Sequence, residues 1–240
     1  TLPIEDEPVQ GENTWLPKGF ELVDNLLSWC QDNEMYLILD LHAAPGGQGR
    51  DPNISDRDPS KPSLWESELN KSKTVALWSK LADRYKDTPW MGGYDLINET
   101  HWDFNDISDL RDLFIRITNA IREHDDKRIL FIEGNGYAND FTGLTPPWDP
   151  NMAYSFHKYK TFNSHFTLEF VLNIQKEYNY PLWMGESGEN SNAWATDAVK
   201  LFEELGIGWS WWTYKKLNSI TNPVSFKSNS KYDALISYMK

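Results

Sequence analysis

The sequence predicts an α/β fold of the (β/α)8 TIM-barrel type, incomplete here, with about six βα units visible. Three observations carry that expectation. Short apolar runs alternate with amphipathic helical patterns along the whole chain; the runs are apolar on both faces, as buried parallel strands are; and each run ends in a polar or ionisable residue.

The runs are Tyr36–His42, Gly93–Glu99, Arg128–Glu133, Met152–His157, Leu182–Glu186 and Gly208–Tyr214, each bounded by Gly, Pro or polar residues. Helical patterns lie between and around them. Lys18–Asp32 carries Leu22, Leu26 and Trp29 at i, i+4 and i+7, and Leu64–Lys86 carries Val75, Leu77, Trp78, Leu81 and Ala82. Asp106–Asp125 places Leu110, Leu113, Phe114, Ile117 and Ile121 along one stripe. Phe166–Tyr178, Ala193–Leu205 and a last short helix over Tyr232–Met239 complete the set. Without a composition break, low-complexity stretch or repeat, residues 1–240 read as one domain. No Gly-rich phosphate loop follows the first strand, which leaves a dinucleotide fold without support.

Composition narrows the function. The 240 residues carry 23 Lys and Arg against 36 Asp and Glu, a net charge of −13 that argues against nucleic acid and anionic membranes as partners. The lone Cys30 excludes an internal disulfide framework, and no apolar run is long enough to span a membrane. Twelve Trp, eleven Tyr and eleven Phe make 14% of the chain aromatic, an excess that on an acidic protein points to stacking on an uncharged, flat-faced ligand such as a sugar. With five His and no ligand-spaced pair among them, metal chemistry is not expected, and no cofactor is implied.

Glu99 and Glu186 each close an apolar run, preceded by Asn98 and Gly185. Two carboxyl groups held at strand ends divide the labour of glycoside cleavage: one donates a proton to the leaving oxygen while the other attacks the anomeric carbon. A single Glu in such a place is more often solvated or salt-bridged, and Glu133 is read that way.

These segments resemble motifs of glycoside hydrolase family 5, the cellulase type within the retaining clan of barrels. Asp95-Leu96-Ile97-Asn98-Glu99 is similar to the family's fourth-strand Asn-Glu signature, and Met184-Gly185-Glu186-Ser187 to its seventh-strand nucleophile motif. Leu39-Asp40-Leu41-His42 resembles the third-strand Asp-x-His, His157-Lys158-Tyr159 the sixth-strand His-x-Tyr, and Trp209–Lys215 the eighth-strand Trp segment. The resemblance implies Glu99 as acid/base and Glu186 as nucleophile. It also implies Asn98 on the sugar 2-hydroxyl, His42, His157 and Tyr159 as supporting residues, and Trp212 as the aromatic floor beneath the cleaved sugar. Because side chains change face at every strand residue, Trp209 and Trp211 are expected to point one way and Trp212 the other. Trp65, Trp102 and Trp148, in or beside loops after strands, are expected as further sugar platforms, with the remaining Trp structural.

The long loop Ala43–Ser63 is expected to wall a cleft. Its Asp51–Asp56 segment superficially resembles a calcium loop, but the sixth position is not Gly and the twelfth is Pro62, so that reading fails.

Thr1–Pro17 reads as a loop rich in Pro and acids, with Thr1–Glu5 resembling the family's loop after the second strand. The expectation is therefore an N-terminally truncated catalytic barrel lacking two βα units and a supporting Arg. Its two exposed sheet edges are expected to promote self-association into a homo-oligomer. The expected activity is retaining hydrolysis of β-1,4-glucan, as cellulose or cellodextrins. The alternatives are another β-glycan (mannan, β-1,3-glucan, xyloglucan) or a catalytically silent oligosaccharide-binding fragment. A polymeric substrate implies a secreted, periplasmic or cell-surface location.

Overall fold

Pro17, whose missing N–H costs nothing at a helix start, opens α1 (Pro17–Asp32) in the computed structural model, which describes residues 15–213, 215–217 and 224–227. The elements that follow are β1 (Leu37–Asp40), α2 (Pro52–Ser55), α3 (Glu68–Tyr85), β2 (Met91–Asp95), α4 (Ser108–Arg122) and β3 (Ile129–Glu133). After them come α5 (Asn135–Ala138), β4 (Met152–Lys158), a 3-10 turn (His165–Leu168), α6 (Glu169–Tyr178) and β5 (Leu182–Ser187). The chain continues through α7 (Asn192–Leu205), β6 (Gly208–Trp209), β7 (Lys215–Leu217) and β8 (Val224–Phe226). Tyr214, the segment Thr1–Glu5 and the helix expected at Tyr232–Met239 lie outside the described residues.

The residues form two compact units, the first made of residues 1–155 and 174–181, the second of 156–173 and 182–240. In the first, β1, β2, β3 and β4 pair in parallel in chain order, with Leu39 opposite Tyr94, Tyr94 opposite Leu130 and Leu130 opposite Met152. Parallel strands bury both faces, which explains the continuous apolar runs. Helices α3 and α4 pack together, and α4 buries the stripe Leu110, Leu113, Phe114, Ile117 and Ile121 completely or nearly so. Each such side chain stabilises the fold by about 1.5–3 kcal/mol. The Ser67 hydroxyl caps α3 by accepting from Asn70 N at 3.2 Å.

In the second unit β5 and β6 pair in parallel, Met184 opposite Trp209. Phe156, Val171, Met184, Ala198 and Phe202 form the core, with Phe156 and Phe202 meeting edge to face at 6.3 Å. Helix α7 starts on the Ser191 hydroxyl and stops at Gly206, whose φ of +64° suits the left-handed cap.

Two expectations need correction. Helix α1 buries Phe20, Val23, Leu27 and Cys30 and leaves Leu22, Leu26 and Trp29 exposed, Trp29 by 63%. The helix has two apolar faces, and spacing alone does not rank them. Among the described residues of the run Gly208–Tyr214, regular strand covers only Gly208–Trp209. Beyond it, Trp212 makes an isolated parallel bridge to Gly188.

Candidate active site

The first unit gathers its candidate residues on the loops that follow β1 and β2. Glu99 does not close a strand, as the apolar run implied: β2 ends at Asp95, and residues 96–99 continue with irregular bonds, Leu96 N to Phe131 O at 3.2 Å and Asn98 N to Leu41 O at 3.1 Å. The backbone then turns at Glu99, whose φ is +39°. A non-glycine residue in the left-handed region costs about 1–2 kcal/mol, and such residues cluster at functional sites. The Glu99 amide is held there by the carboxyl of Glu133, whose Oε2 accepts from it at 2.6 Å. Glu133 is 1% exposed, so of the two readings, solvated or salt-bridged, the solvated one is excluded.

Asn98 is 1% exposed, and neither its side-chain oxygen nor its nitrogen has a hydrogen-bond partner within the protein. A buried amide pays a desolvation cost unless something accepts and donates in return. His42 Nδ1 lies 3.0 Å from Asp40 Oδ2, so the aspartate orients the ring. Gln48, fully buried, ties the two loops together: Nε2 donates to the carbonyls of His42 (3.0 Å) and Asn98 (2.8 Å), and Oε1 accepts from Ala44 N at 3.1 Å. Gly46 and Gly47 permit the turn that delivers it, with φ of +80° and +83°. Nothing in the local sequence marks Gln48 except those flanking glycines.

The second unit carries the other group of candidates. Glu186 lies within β5, His157 within β4, and Tyr159 directly after β4. Tyr159 Oη donates to Glu186 Oε2 at 2.5 Å, and His157 Nδ1 stands 3.7 Å from the same oxygen. A phenol hydrogen bond favours the ionised carboxylate, the form a nucleophile needs. Asn190 Nδ2 donates to the Tyr159 carbonyl at 2.9 Å and steadies that segment. Trp212 is 38% exposed, and its backbone N donates to Ser187 O at 2.6 Å. Gly188 faces it at φ +142°, where a Cβ would overlap the Trp212 carbonyl oxygen. Trp209 and Trp211 meet each other edge to face at 6.2 Å.

Of the three expected sugar platforms Trp65 is buried, while Trp148 and Trp102 are partly exposed with other side chains against their rings. Trp65 is buried, donates Nε1 to Gln48 O at 2.8 Å and packs on Phe104 at 4.8 Å. Trp148 lies against α4, donating to Thr118 Oγ1 at 3.0 Å, with the Arg111 guanidinium 4.8 Å from its ring centroid. Trp102 is half-buried beneath the guanidiniums of Arg50 and Arg57, at 5.1 and 5.0 Å. Apolar and cationic neighbours take up these rings because an indole face gains more from burial or from a guanidinium than from water. The Asp51–Asp56 segment is a capped helical turn, Asp51 accepting from Asn53 N at 2.9 Å.

Comparison with known proteins gives the class. A family model described as "Cellulase (glycosyl hydrolase family 5)" matches residues 2–218. A protein named "Beta-xylosidase" from Phanerodontia chrysosporium is 35% identical over 238 residues, covering 84% of this chain and 49% of its own length. "Endoglucanase C" from Acetivibrio thermocellus is 25% identical over 284 residues, covering 90% and 78%. The chain thus spans about half the length of the first relative. Among solved structures, endoglucanase Cel5A from the hyperthermophilic Thermotoga maritima superposes with a TM-score of 0.69 at 18% identity, over 88% of this chain and 75% of that one. That likeness establishes the fold as the (β/α)8 class, and with the sequence match it defines a glycoside hydrolase. Within that class, the chain belongs to the cellulase family, glycosyl hydrolase family 5.

Proposed function

We propose that this chain hydrolyses β-1,4-glucosidic bonds of cellulose-type glucan or cellodextrins by a retaining double displacement, with Glu186 as nucleophile and Glu99 as acid/base. The observation that carries the reading is the 2.5 Å hydrogen bond from Tyr159 to Glu186, which aims one carboxylate oxygen and is of the kind that favours an ionised nucleophile. In the first step the Glu186 carboxylate attacks the anomeric carbon while the Glu99 proton passes to the leaving oxygen, and a glycosyl ester forms. In the second, water gives its proton to Glu99 and its oxygen to the anomeric carbon, and Glu186 leaves as carboxylate. The buried, unpartnered amide of Asn98 supports a role on the sugar 2-hydroxyl, a contact that tightens in an oxocarbenium-like transition state. Exposed Trp212 supports an aromatic floor under the reacting sugar. The scheme needs no metal or cofactor. A polymeric substrate puts its action outside the cell, and among the described residues no helix is long and apolar enough to cross a membrane.

The name of the 35% identical relative, Beta-xylosidase, favours a second reading, β-xylosidic linkages. Reducing-sugar release from carboxymethylcellulose, lichenan, mannan and xylan decides between substrates. Glu99→Gln and Glu186→Gln are expected to abolish turnover, and a 2-fluoro-glycoside is expected to label Glu186. A label mapped elsewhere overturns the nucleophile assignment. Binding in affinity electrophoresis with no turnover on any glycan points instead to a silent oligosaccharide-binding chain.

A further inference from the structure

Residues 99–102, the turn that carries the proposed acid/base, are held almost residue by residue by one other segment, Glu133–Tyr137. Glu133 Oε2 accepts from Glu99 N at 2.6 Å. Tyr137 N donates to Thr100 O at 3.1 Å, and the Tyr137 ring stacks on His101 with centroids 4.2 Å apart and planes 13° from parallel. The Asn135 side chain spans Trp102, its Oδ1 accepting from Trp102 N and its Nδ2 donating to Trp102 O, both at 3.0 Å.

The template is itself stiff. Gly136, Tyr137 and Ala138 all have left-handed φ, at +62°, +59° and +63°. The ends of the turn are clasped by reciprocal bonds between Asn135 and Asp140, each amide to the other's carbonyl at 2.8 Å. So rigid and irregular a segment, pressed on one short stretch of a neighbouring loop, has more order than loop closure requires.

We propose that Glu133 and Asn135 are positioning residues for the acid/base: they hold the left-handed turn at Glu99 and thereby aim its carboxyl at the glycosidic oxygen. This rests on the assignment of Glu99 made above. Without the Glu133 acceptor, the Glu99 backbone relaxes toward negative φ, and the side chain leaves the line along which it delivers its proton. A displacement of about 1 Å in a reacting group costs on the order of 10²-fold in rate.

Leaving-group dependence separates aiming from mere stability. Cellotetraose has a poor leaving group and needs the proton, whereas 2,4-dinitrophenyl β-cellobioside barely needs it, and kcat/KM reports the glycosylation step for both. Glu133→Ala and Asn135→Ala are expected to lower kcat/KM on cellotetraose by roughly 10²-fold while leaving the dinitrophenyl substrate within about 5-fold. Glu133→Gln, which keeps an acceptor oxygen in the same place, is expected to recover much of the loss. An equal fall on both substrates in variants that melt as cooperatively as the parent overturns the proposal. Should Glu133→Ala not fold, Asn135→Ala is scored by the same ratio. Glu99→Ala is the control for the underlying reading: if it too falls equally on both substrates, Glu99 is not the acid. If it discriminates and the Glu133 and Asn135 variants do not, the positioning role alone is lost.

Discussion

Tyr159 Oη and Glu186 Oε2 stand 2.5 Å apart, joining a residue just past β4 to one inside β5. One end of this hydrogen bond is held inside β5, the other one residue past the end of β4. Bonds to charged groups contribute about 1.5–3 kcal/mol, which corresponds to roughly 10–150-fold in rate if the bond acts on the reacting carboxylate.

Tyr159→Phe removes only the donor. Its expected effect is a fall in kcat within that range, a KM close to the parent's and slower labelling by the 2-fluoro-glycoside. Unchanged labelling would show that the phenol does not act on the nucleophile.

Gln48 joins two loops from inside. Replacing it by Leu keeps the bulk but leaves the Ala44 amide without its acceptor and the His42 and Asn98 carbonyls without their shared donor. Each buried polar group left unsatisfied costs about 1–3 kcal/mol. Gln48→Leu is expected to cost about 2–4 kcal/mol of stability, read as a lower urea midpoint at constant m. It is also expected to reduce activity, because Asn98 and its neighbour Glu99 lose an anchor. Parent-like stability with parent-like activity would dismiss it as an anchor.

What was legible in the sequence was what local periodicity encodes. The strand–helix alternation, the α4 stripe and the near-strand-end places of His157 and Glu186 depend on spacing within a dozen residues, and spacing is visible. The missed features depend on partners far along the chain. The contact of Glu133 with the Glu99 amide crosses 34 positions, and Gln48 reaches Asn98 across 50. No local pattern separates a buried carboxyl that accepts a backbone N–H from a solvated one. Helix α1 shows the same limit: Leu22, Leu26 and Trp29 have as good a helical spacing as the face that is buried. The tryptophans show a different limit. A loop position says that an indole can be reached, and only the packing says whether Phe104, Arg57 or Thr118 reaches it first.

Trp65 is the sharpest of these cases. A buried indole that donates to Gln48 O is part of the core, so Trp65→Ala is expected to cost about 3–5 kcal/mol. Trp212→Ala, at an exposed ring, is expected to change stability by under about 1 kcal/mol and to raise KM instead. Chemical denaturation together with initial-rate kinetics on both variants checks the contrast, and a stable Trp65→Ala with raised KM would restore Trp65 as a platform.

Asp149 and Arg122 give the pH dependence a sign. Burial alone pushes the Asp149 carboxyl pKa up, but the Arg122 guanidinium, bidentate at 2.8 Å on each oxygen, and the Asn151 amide outweigh it and hold it below the ordinary value. A carboxyl whose folded pKa is depressed takes up its proton more readily in the unfolded chain. Its stabilisation is therefore complete above the unfolded pKa, near about 3.9, and is lost as pH falls through the lower, folded one. Asp149→Asn removes this titration and weakens the bonds to Arg122, and is expected to destabilise by about 1.5–3 kcal/mol at neutral pH. Urea unfolding of parent and variant from pH 7 down to about 2 should show that gap narrow only below about pH 4. A gap that stays constant to the bottom of the range would mean that the pair contributes through packing and not through the charge of Asp149.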